Sequence, residues 1–213
     1  YIGDAILAFW NAPLEIEGHE RKSVDAALRM RQALEILNRV RRNRGLEEIA
    51  FGIGLHAGMC SVGNMGCSLR FDYSILGDTV NLASRIEGAT KALSVDILCT
   101  ETIRSAVPAM AWLDLGLVQV VGRSGAAHIF ALAGDELEAQ SSAFREACAA
   151  HDRMMGFYYQ GDFQRAAKVA AEAAQDASLQ WQSMYLTLAH RFTTLSHGDE
   201  SKGDKQIWRL SGK

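Results

Sequence analysis

The stretch that decides the fold is residues 71–87, which read FDYSILGDTVNLASRIE. Residues 71–76 predict a strand, and Gly77 ends it with a turn. Apolar residues then recur at helical spacing, so a helix is expected over residues 78–91, capped by Asp78 or Thr79. The sequence therefore predicts a strand, a glycine turn and a helix in direct succession.

Asn81 and Arg85 lie four residues apart in this helix. That spacing places an amide and a guanidinium on one helical face. An amide that can hold a hydroxyl, one turn before a guanidinium that can hold a phosphate, suits recognition of a ribose phosphate. On spacing alone, however, such a pair is most often a solvated surface.

The segments around this unit predict an α+β fold. A long amphipathic helix is expected over residues 19–42, and residues 5–10 read as a strand after a Gly3-Asp4 turn. A strand over residues 49–57 is expected to form a hairpin with residues 71–76. Further elements are predicted at residues 97–99, 100–106, 113–122 and 128–132. The order favours helices on one side of a mainly antiparallel sheet.

The composition changes after residue 135. Residues 136–197 are rich in Ala and Gln and predict three helices, and residues 198–213 read as a flexible tail. Within the helical part, Phe157, Gly161, Phe163, Ala166 and Ala173 occupy positions similar to those of a tetratricopeptide repeat. One such unit cannot bury its apolar face alone, so it either packs on residues 1–135 or begins an array.

The bulk composition excludes several classes of protein. Hydrophobic residues make up 48% of the 213 residues and the formal net charge is -3, so nucleic acid is not an expected partner. No apolar run approaches the roughly 20 residues of a membrane span. The four cysteines have no metal-ligand spacing and are expected to be free thiols, which fits a reducing cytoplasm.

Residues 71–87 closely resemble the segment of class III adenylate and guanylate cyclases that carries their ribose-orienting Asn and transition-state Arg. Three further stretches resemble the same family, namely YIGDAILAFW at residues 1–10, FGIGLHAG at 51–58 and VGR at 121–123. The resemblance covers residues 1–134. It implies a ferredoxin-like nucleotidyl cyclase domain over residues 1–135, followed by the helical region.

The resemblance also implies an activity and a site. Adenylate cyclases convert ATP to 3′,5′-cyclic AMP and pyrophosphate, with two Mg²⁺ or Mn²⁺ ions as cofactors. The family's catalytic Asn and Arg map onto Asn81 and Arg85, and the second of its two metal-binding aspartates maps onto Asp4. Since the family's aspartates and its Asn and Arg come from different protomers, a homodimer with active sites at the interface is expected.

The choice of purine rests on Ser74, which stands at one of the family's purine-selecting positions. A Ser hydroxyl both donates and accepts hydrogen bonds, as Thr does, and so resembles the Thr-bearing bacterial subclass that acts on ATP. A guanylate cyclase remains the alternative. The family's purine-selecting Lys and first metal Asp fall before Tyr1, so we expect residues 1–213 to be inactive alone and activity to belong to a longer protein, which upstream segments could anchor in a membrane.

Two other functions stay open. The chain could be a catalytically silent cyclase-like module for dimerisation or nucleotide sensing, with the helical region binding a protein partner. A helical-repeat adaptor would explain only the last third of the chain. His56, in an apolar strand without acidic neighbours, is expected to be a core or interface histidine.

Overall fold

The computed structural model of the chain describes residues 3–67, 70–120, 125–176, 179–198 and 206–210. Its helices are α1 (His19–Asn43), α2 (Asp78–Leu93), α3 (Glu101–Ala106), α4 (Glu136–Gln140), α5 (Ser142–Tyr159), α6 (Phe163–Asp176) and α7 (Leu179–His197). Its strands are β1 (Ile53–Leu55), β2 (Ser61–Cys67), β3 (Arg70–Leu76), β4 (Ile97–Thr100), β5 (Ala111–Val120), β6 (Ala127–Gly134) and β7 (Ile207–Leu210). No helix among the described residues combines the length and the apolar composition needed to cross a bilayer.

Five strands form one mixed sheet in the order β1-β4-β6-β5-β7. The two outer pairs, β1 with β4 and β5 with β7, are parallel, and β6 runs antiparallel to both of its neighbours. Strands β2 and β3 form a separate antiparallel hairpin. The predicted α+β class is confirmed.

Helices cover both faces of the sheet. Successive residues of a strand point to opposite faces, and in β4 Ile97 and Cys99 enter one core whereas Leu98 enters the other. The first core takes α1 and α3, and the second takes α2, α5, α6 and α7. The prediction that helices lie on one side is therefore wrong, because all four residues of β4 are buried and that strand has no solvent face.

Helix α1 begins at the predicted residue and ends within one residue of the prediction. Its buried Arg31 joins the helix to the sheet. The guanidinium donates to Asp96 through Nε at 2.6 Å, and to the carbonyls of Ala133 at 2.9 Å and Leu132 at 2.6 Å. A buried charge is tolerated here because it has both an ionic partner and hydrogen-bond acceptors.

The predicted pairing of residues 49–57 with residues 71–76 is wrong. The strand is only three residues long, Ile53–Leu55, and pairs in parallel with β4. The glycine-containing segment, expected to be the turn, is itself strand β2, with Gly63 opposite Ser74 and Ser61 opposite Leu76. Glycine lowers strand propensity without preventing pairing, so this segment forms a strand because β3 lies beside it and pairs with it.

The predicted strand over residues 5–10 is also not formed. Among the described residues of this segment, only Ala5 takes part in an isolated bridge. A strand requires a hydrogen-bonding neighbour, and the described sheet places none beside these residues. Phe9 of this segment instead lies near Tyr73 of β3, with ring centroids 6.1 Å apart. The predicted VGR match at residues 121–123 and the first two residues of the chain lie outside the described residues.

The helical region packs on the sheet, as in the first of the two arrangements left open by the sequence. One continuous core contains Leu113 and Ile129 of the sheet together with Met154 of α5 and Leu188 of α7. The predicted turn between paired helices is present at Gly161, whose φ of 78° favours glycine. The likeness to a tetratricopeptide repeat remains a prediction, as does the domain boundary at residue 135.

The prediction of a flexible tail over residues 198–213 is wrong for residues 207–210, which form strand β7. This strand pairs with β5, and the ring of Trp208 lies under the guanidinium of Arg191, 4.2 Å from its carbon to the ring centroid. The side chain of Gln206 donates to the carbonyl of Tyr159 at 2.8 Å. Tertiary contacts therefore order residues 207–210, which the sequence alone places in the flexible tail.

Three of the cysteines, Cys60, Cys99 and Cys148, are free thiols, as predicted. Cys60 is exposed and Cys99 is fully buried. Burial raises the pKa of Cys99 and also raises that of Cys148, to about 11. Neither of these two thiols is therefore in the nucleophilic thiolate form near neutral pH.

A polar cluster around Asp114 joins the sheet to α5. The carboxylate accepts hydrogen bonds from His128 Nε2 at 2.7 Å, from the Gly116 amide at 2.7 Å and from the Tyr159 hydroxyl at 2.8 Å. Burial opposes ionisation of Asp114, but these hydrogen bonds outweigh it and lower its pKa. The hydrogen bond with Asp114 likewise raises the pKa of His128, against the effect of burial.

This cluster predicts a pH-dependent stability. A raised pKa means that the folded state favours His128 in its protonated form, so its stabilisation is complete below the unfolded pKa and is lost as the pH rises through the folded pKa. Comparing wild type with His128→Gln by urea unfolding, we expect a difference of about 1 kcal/mol near pH 5 that shrinks above neutral pH. His190→Gln, at an exposed position of α7, is the control and should show no such trend. A His128→Gln difference that grows with pH would contradict the assignment.

Candidate functional site

Helix α2 follows strand β3 through a single glycine. Gly77 is the N-cap, with φ 148° and ψ 165°, a conformation that is open essentially to glycine alone. The prediction that Asp78 or Thr79 caps the helix is wrong, because no side chain caps it. Asp78 lies instead in the first turn, where its charge complements the helix dipole.

The two faces of α2 differ sharply. The side chains of Leu82, Ile86 and Leu93 are almost fully buried in the core. Asn81 and Arg85 are both exposed, and neither side chain has a hydrogen bond or an ion pair with any residue that the structure describes. The amide and the guanidinium thus stand one turn apart on the solvent face, as predicted, with their donors available to a ligand or to a second chain.

Two glycines of the neighbouring segment set the position of α2. A Cβ added at Gly54 would lie 2.3 Å from the carbonyl oxygen of Ala83 and 2.4 Å from the backbone nitrogen of Glu87. One added at Gly52 would lie 2.1 Å from Thr90 Oγ1. Glycine is required at Gly54 because the backbones of β1 and α2 are in direct contact there, whereas at Gly52, just before β1, the nearest atom belongs to a side chain. Two glycines at strand spacing, at residues 52 and 54, are the sequence signal of this close approach.

The start of α2 is also tied to the hairpin. Thr79 Oγ1 donates to the carbonyl oxygen of Met59 at 2.7 Å, immediately before β2. Strand β3 leads into the helix without a loop, so Ser74 and Asn81 belong to one continuous strand–turn–helix unit. Ser74 is partly buried, and its hydroxyl has no hydrogen bond to a described residue.

Asp4 lies apart from this unit. It is exposed in a turn after Gly3, whose φ is 62°. The carboxylate of Asp4 forms no ion pair or hydrogen bond with any described residue, and therefore none with Asn81 or Arg85. The structure therefore places Ser74, Asn81 and Arg85 in one strand–turn–helix unit and Asp4 on a separate turn.

A cavity of about 280 Å³ lies between the N-terminal segment and the start of α2. Its walls are mainly apolar, and they come from residues 7–12, residues 54–60, and Thr79, Val80 and Ala83 of α2. None of Asp4, Ser74, Asn81 and Arg85 lines it. His56, at its wall, is partly buried with Nδ1 2.8 Å from Thr100 Oγ1. This agrees with the predicted structural role of His56.

The metal-binding capacity of the described residues is small. No group of three or more His, Cys, Asp or Glu side chains among them could hold a metal ion. Mg²⁺, however, often takes only one or two protein carboxylates and fills its remaining positions with phosphate oxygens and water. An exposed carboxylate without a competing partner, as at Asp4, fits one such ligand.

Comparison with known proteins identifies the part of the chain that resembles them. Residues 1–133 match the family model described as the adenylate and guanylate cyclase catalytic domain. Adenylate cyclase 1 of Rhizobium meliloti (strain 1021) is 35% identical over 133 residues, which are 62% of this chain and 20% of that protein. The chain thus spans about a fifth of the length of this curated relative.

Two solved structures share the fold. The adenylyl cyclase CyaB from P. aeruginosa is 27% identical, with a TM-score of 0.53 over 58% of this chain and 64% of that one. The guanylyl cyclase Cya2 is 29% identical, with a TM-score of 0.51 over 60% of this chain and 64% of that one. The matched part ends before α4, so helices α5 to α7 lie beyond the family match.

Proposed function

Since this chain belongs to the adenylate and guanylate cyclase catalytic domain family, we propose that it is part of an adenylate cyclase that converts ATP to 3′,5′-cyclic AMP and pyrophosphate. The observation that carries the proposal is the pair on α2. Asn81 and Arg85 lie in the matched segment, exposed, one turn apart and without a partner among the described residues. Exposed pairs of this kind are common on helix surfaces, so the support for catalysis comes from the place of this pair within the matched segment.

The reaction is an attack of the ribose 3′-oxygen on the α-phosphorus. The 3′-hydroxyl loses its proton, the new P–O3′ bond forms, and the bond between the α-phosphorus and the bridging oxygen breaks to release pyrophosphate. We assign Asn81 to hold the ribose for in-line attack and Arg85 to stabilise the charge that develops on the phosphoryl oxygens. No covalent nucleophile is needed.

Asp4 is proposed as a ligand of the divalent ions. Two Mg²⁺ or Mn²⁺ ions would favour loss of the 3′-hydroxyl proton and neutralise the triphosphate. Because Asp4 lies on a turn separate from α2, we propose that a second copy of the chain brings its own α2 to this turn. A two-fold symmetric dimer would then hold two equivalent sites, each sharing residues of both protomers.

Ser74 is proposed to read the purine. It stands seven residues before Asn81 in the same strand–turn–helix unit, partly buried and with an unused hydroxyl. A hydroxyl can donate or accept, so it suits the amino group and ring nitrogen of adenine but can also serve guanine. A guanylate cyclase is therefore the second candidate, favoured by the comparable likeness to the guanylyl cyclase Cya2.

The product assay separates these functions. In the longest natural polypeptide that contains this chain, with Mg²⁺ or Mn²⁺, we expect cyclic AMP from ATP and at least about tenfold less cyclic GMP from GTP, since one polar contact to a base is worth about 1–3 kcal/mol. Preferred formation of cyclic GMP would identify a guanylate cyclase. Binding of nucleotide without either product would favour the catalytically silent module.

Two further assignments accompany the proposal. An exposed free thiol at Cys60 suits a reducing compartment, and we place the domain in the cytoplasm, where ATP is available. The helical region is proposed as a contact surface for a protein partner of the cyclase.

A further inference from the structure

The C-terminal end of α2 contacts α7, which lies beyond the family match. Ser94 is the C-cap of α2 and has a left-handed backbone with φ 55° and ψ 43°. Its hydroxyl lies 3.0 Å from Thr187 Oγ1 of α7. A residue other than glycine is disfavoured in this conformation, so a side-chain hydrogen bond from another helix helps to hold the helix end in place.

The same two helices share a core. Leu82, Ile86 and Leu93 of α2 belong to one buried cluster with Met184 and Leu188 of α7. On its other side, α2 is in backbone contact with β1 at Gly54. Helix α2 is therefore positioned by β1 along its length and by α7 at its end.

We infer that α7 positions α2, and through it Asn81 and Arg85, with Thr187 as the positioning residue at the junction. The inference rests on the proposed function, because it assigns Thr187 a role in that same site. Thr187 does not contact the reacting atoms. It acts through Ser94 on the angle at which α2 lies against the sheet.

The geometry explains why a distant hydroxyl affects the site. Arg85 lies nine residues before Ser94, which corresponds to about 14 Å along a helix. A tilt of about 5° around Ser94 moves Arg85 by about 1 Å, and a displacement of that size in a catalytic group can reduce the rate by up to about a hundredfold. Even a partial loss of this contact should therefore alter turnover.

The test uses Thr187→Val, which removes the hydroxyl and keeps the branched shape of the side chain. Thr187→Ser restores the hydroxyl, and Thr193→Val is the matched control, since Thr193 lies on the same helix and donates to Ala189 of its own helix at 2.8 Å. We measure kcat and KM for cyclic nucleotide formation in the longest natural polypeptide that contains this chain. We measure amide hydrogen exchange over residues 78–95 in residues 1–213.

For Thr187→Val we expect kcat to fall about three- to tenfold with KM within twofold, since a neutral hydrogen bond is worth about 1 kcal/mol. Exchange at the end of α2 should be faster, and Thr187→Ser should recover both readouts. Unchanged exchange, or an equal loss in Thr193→Val, would overturn the inference. So would faster exchange with unchanged kcat. If the unaltered protein forms no cyclic nucleotide, the proposed function fails, and the exchange data alone decide whether α7 holds α2.

Discussion

Replacing Arg85 with alanine is expected to lower kcat for cyclic nucleotide formation by about a hundredfold to a thousandfold. The guanidinium is proposed to stabilise charge that appears only in the transition state, so KM should change little. The fold should be unaffected, because Arg85 is exposed, has no partner among the described residues, and Arg and Ala both favour helix. The measurement is steady-state kinetics, with thermal unfolding as the check on folding.

Two matched variants distinguish a specific role of the Arg85 guanidinium from an effect of overall charge. Arg85→Lys keeps the charge without the planar fork and should recover only part of the rate. Arg29→Ala removes an exposed arginine from α1 and should leave kcat unchanged. Equal losses in Arg29→Ala and Arg85→Ala would show that the effect comes from overall charge and not from the site.

Mixing Asp4→Ala with Arg85→Ala tests whether the site is shared between protomers. In a mixed dimer, one shared site contains both substitutions and the other contains neither. With random exchange of subunits, about a quarter of wild-type activity should return in an equal mixture. If Asp4 and Arg85 served the same site from one protomer, both sites of every dimer would be defective and no activity would return.

Replacing Gly54 with alanine is expected to destabilise the chain by at least about 3 kcal/mol. The added Cβ would lie 2.3 Å from a backbone oxygen and 2.4 Å from a backbone nitrogen of α2. Neither atom can move without displacing the helix, unlike the end of a flexible side chain. The measurement is urea unfolding of residues 1–213, monitored by circular dichroism.

Gly88→Ala is the matched control, because it makes the same chemical change within α2 itself. An added Cβ at Gly88 has no neighbour within 4 Å. Alanine favours helix over glycine by about 1 kcal/mol, so this variant should be more stable than the wild type. Similar unfolding midpoints for the two variants would contradict the close contact between β1 and α2.

Much of the local structure could be predicted from the sequence. Apolar residues recur at helical spacing along the 25 residues of α1. Helix α2 begins directly after Gly77, and a glycine between an apolar strand and a helical pattern predicts a turn. The exposure of Asn81 and Arg85 follows from the buried positions of Leu82 and Ile86, each of which comes directly after one of them. In each case the information lies within a few residues, where spacing and propensity act.

The pairing of strands could not be predicted in the same way. β1 pairs with β4, so that Ile53 lies opposite Ile97, 44 positions further along the chain, and β7 pairs with β5 after four intervening helices. Such contacts depend on tertiary packing, which local propensity does not encode. The same holds for the helices on both faces, since an apolar strand such as β4 does not reveal which helices cover it.

The roles of Asp4, Ser74, Asn81 and Arg85 stay predictions, for a physical reason. A catalytic role depends on what a side chain meets in the assembled site, and the described residues of one chain leave these four without partners. Their identity came from residues 71–87 and 1–10, where a long string of residue types resembles a known family. Single spacings, such as Asn81 with Arg85, are too common on helix surfaces to carry a function alone.

The continuous core that runs from Leu82 to Phe192 bears on how this protein is made. A ribosome delivers the chain from its first residue onward, and domains usually fold in that order. Here α2 and α5 contact one face of the sheet, but the core on that face is complete only once α6 and α7 have emerged. The edge of the sheet at β5 is paired only when β7 arrives. Until residues 136–197 have been made, Leu113, Ile129 and their neighbours are therefore incompletely covered, and a chaperone or an early partner would find them accessible.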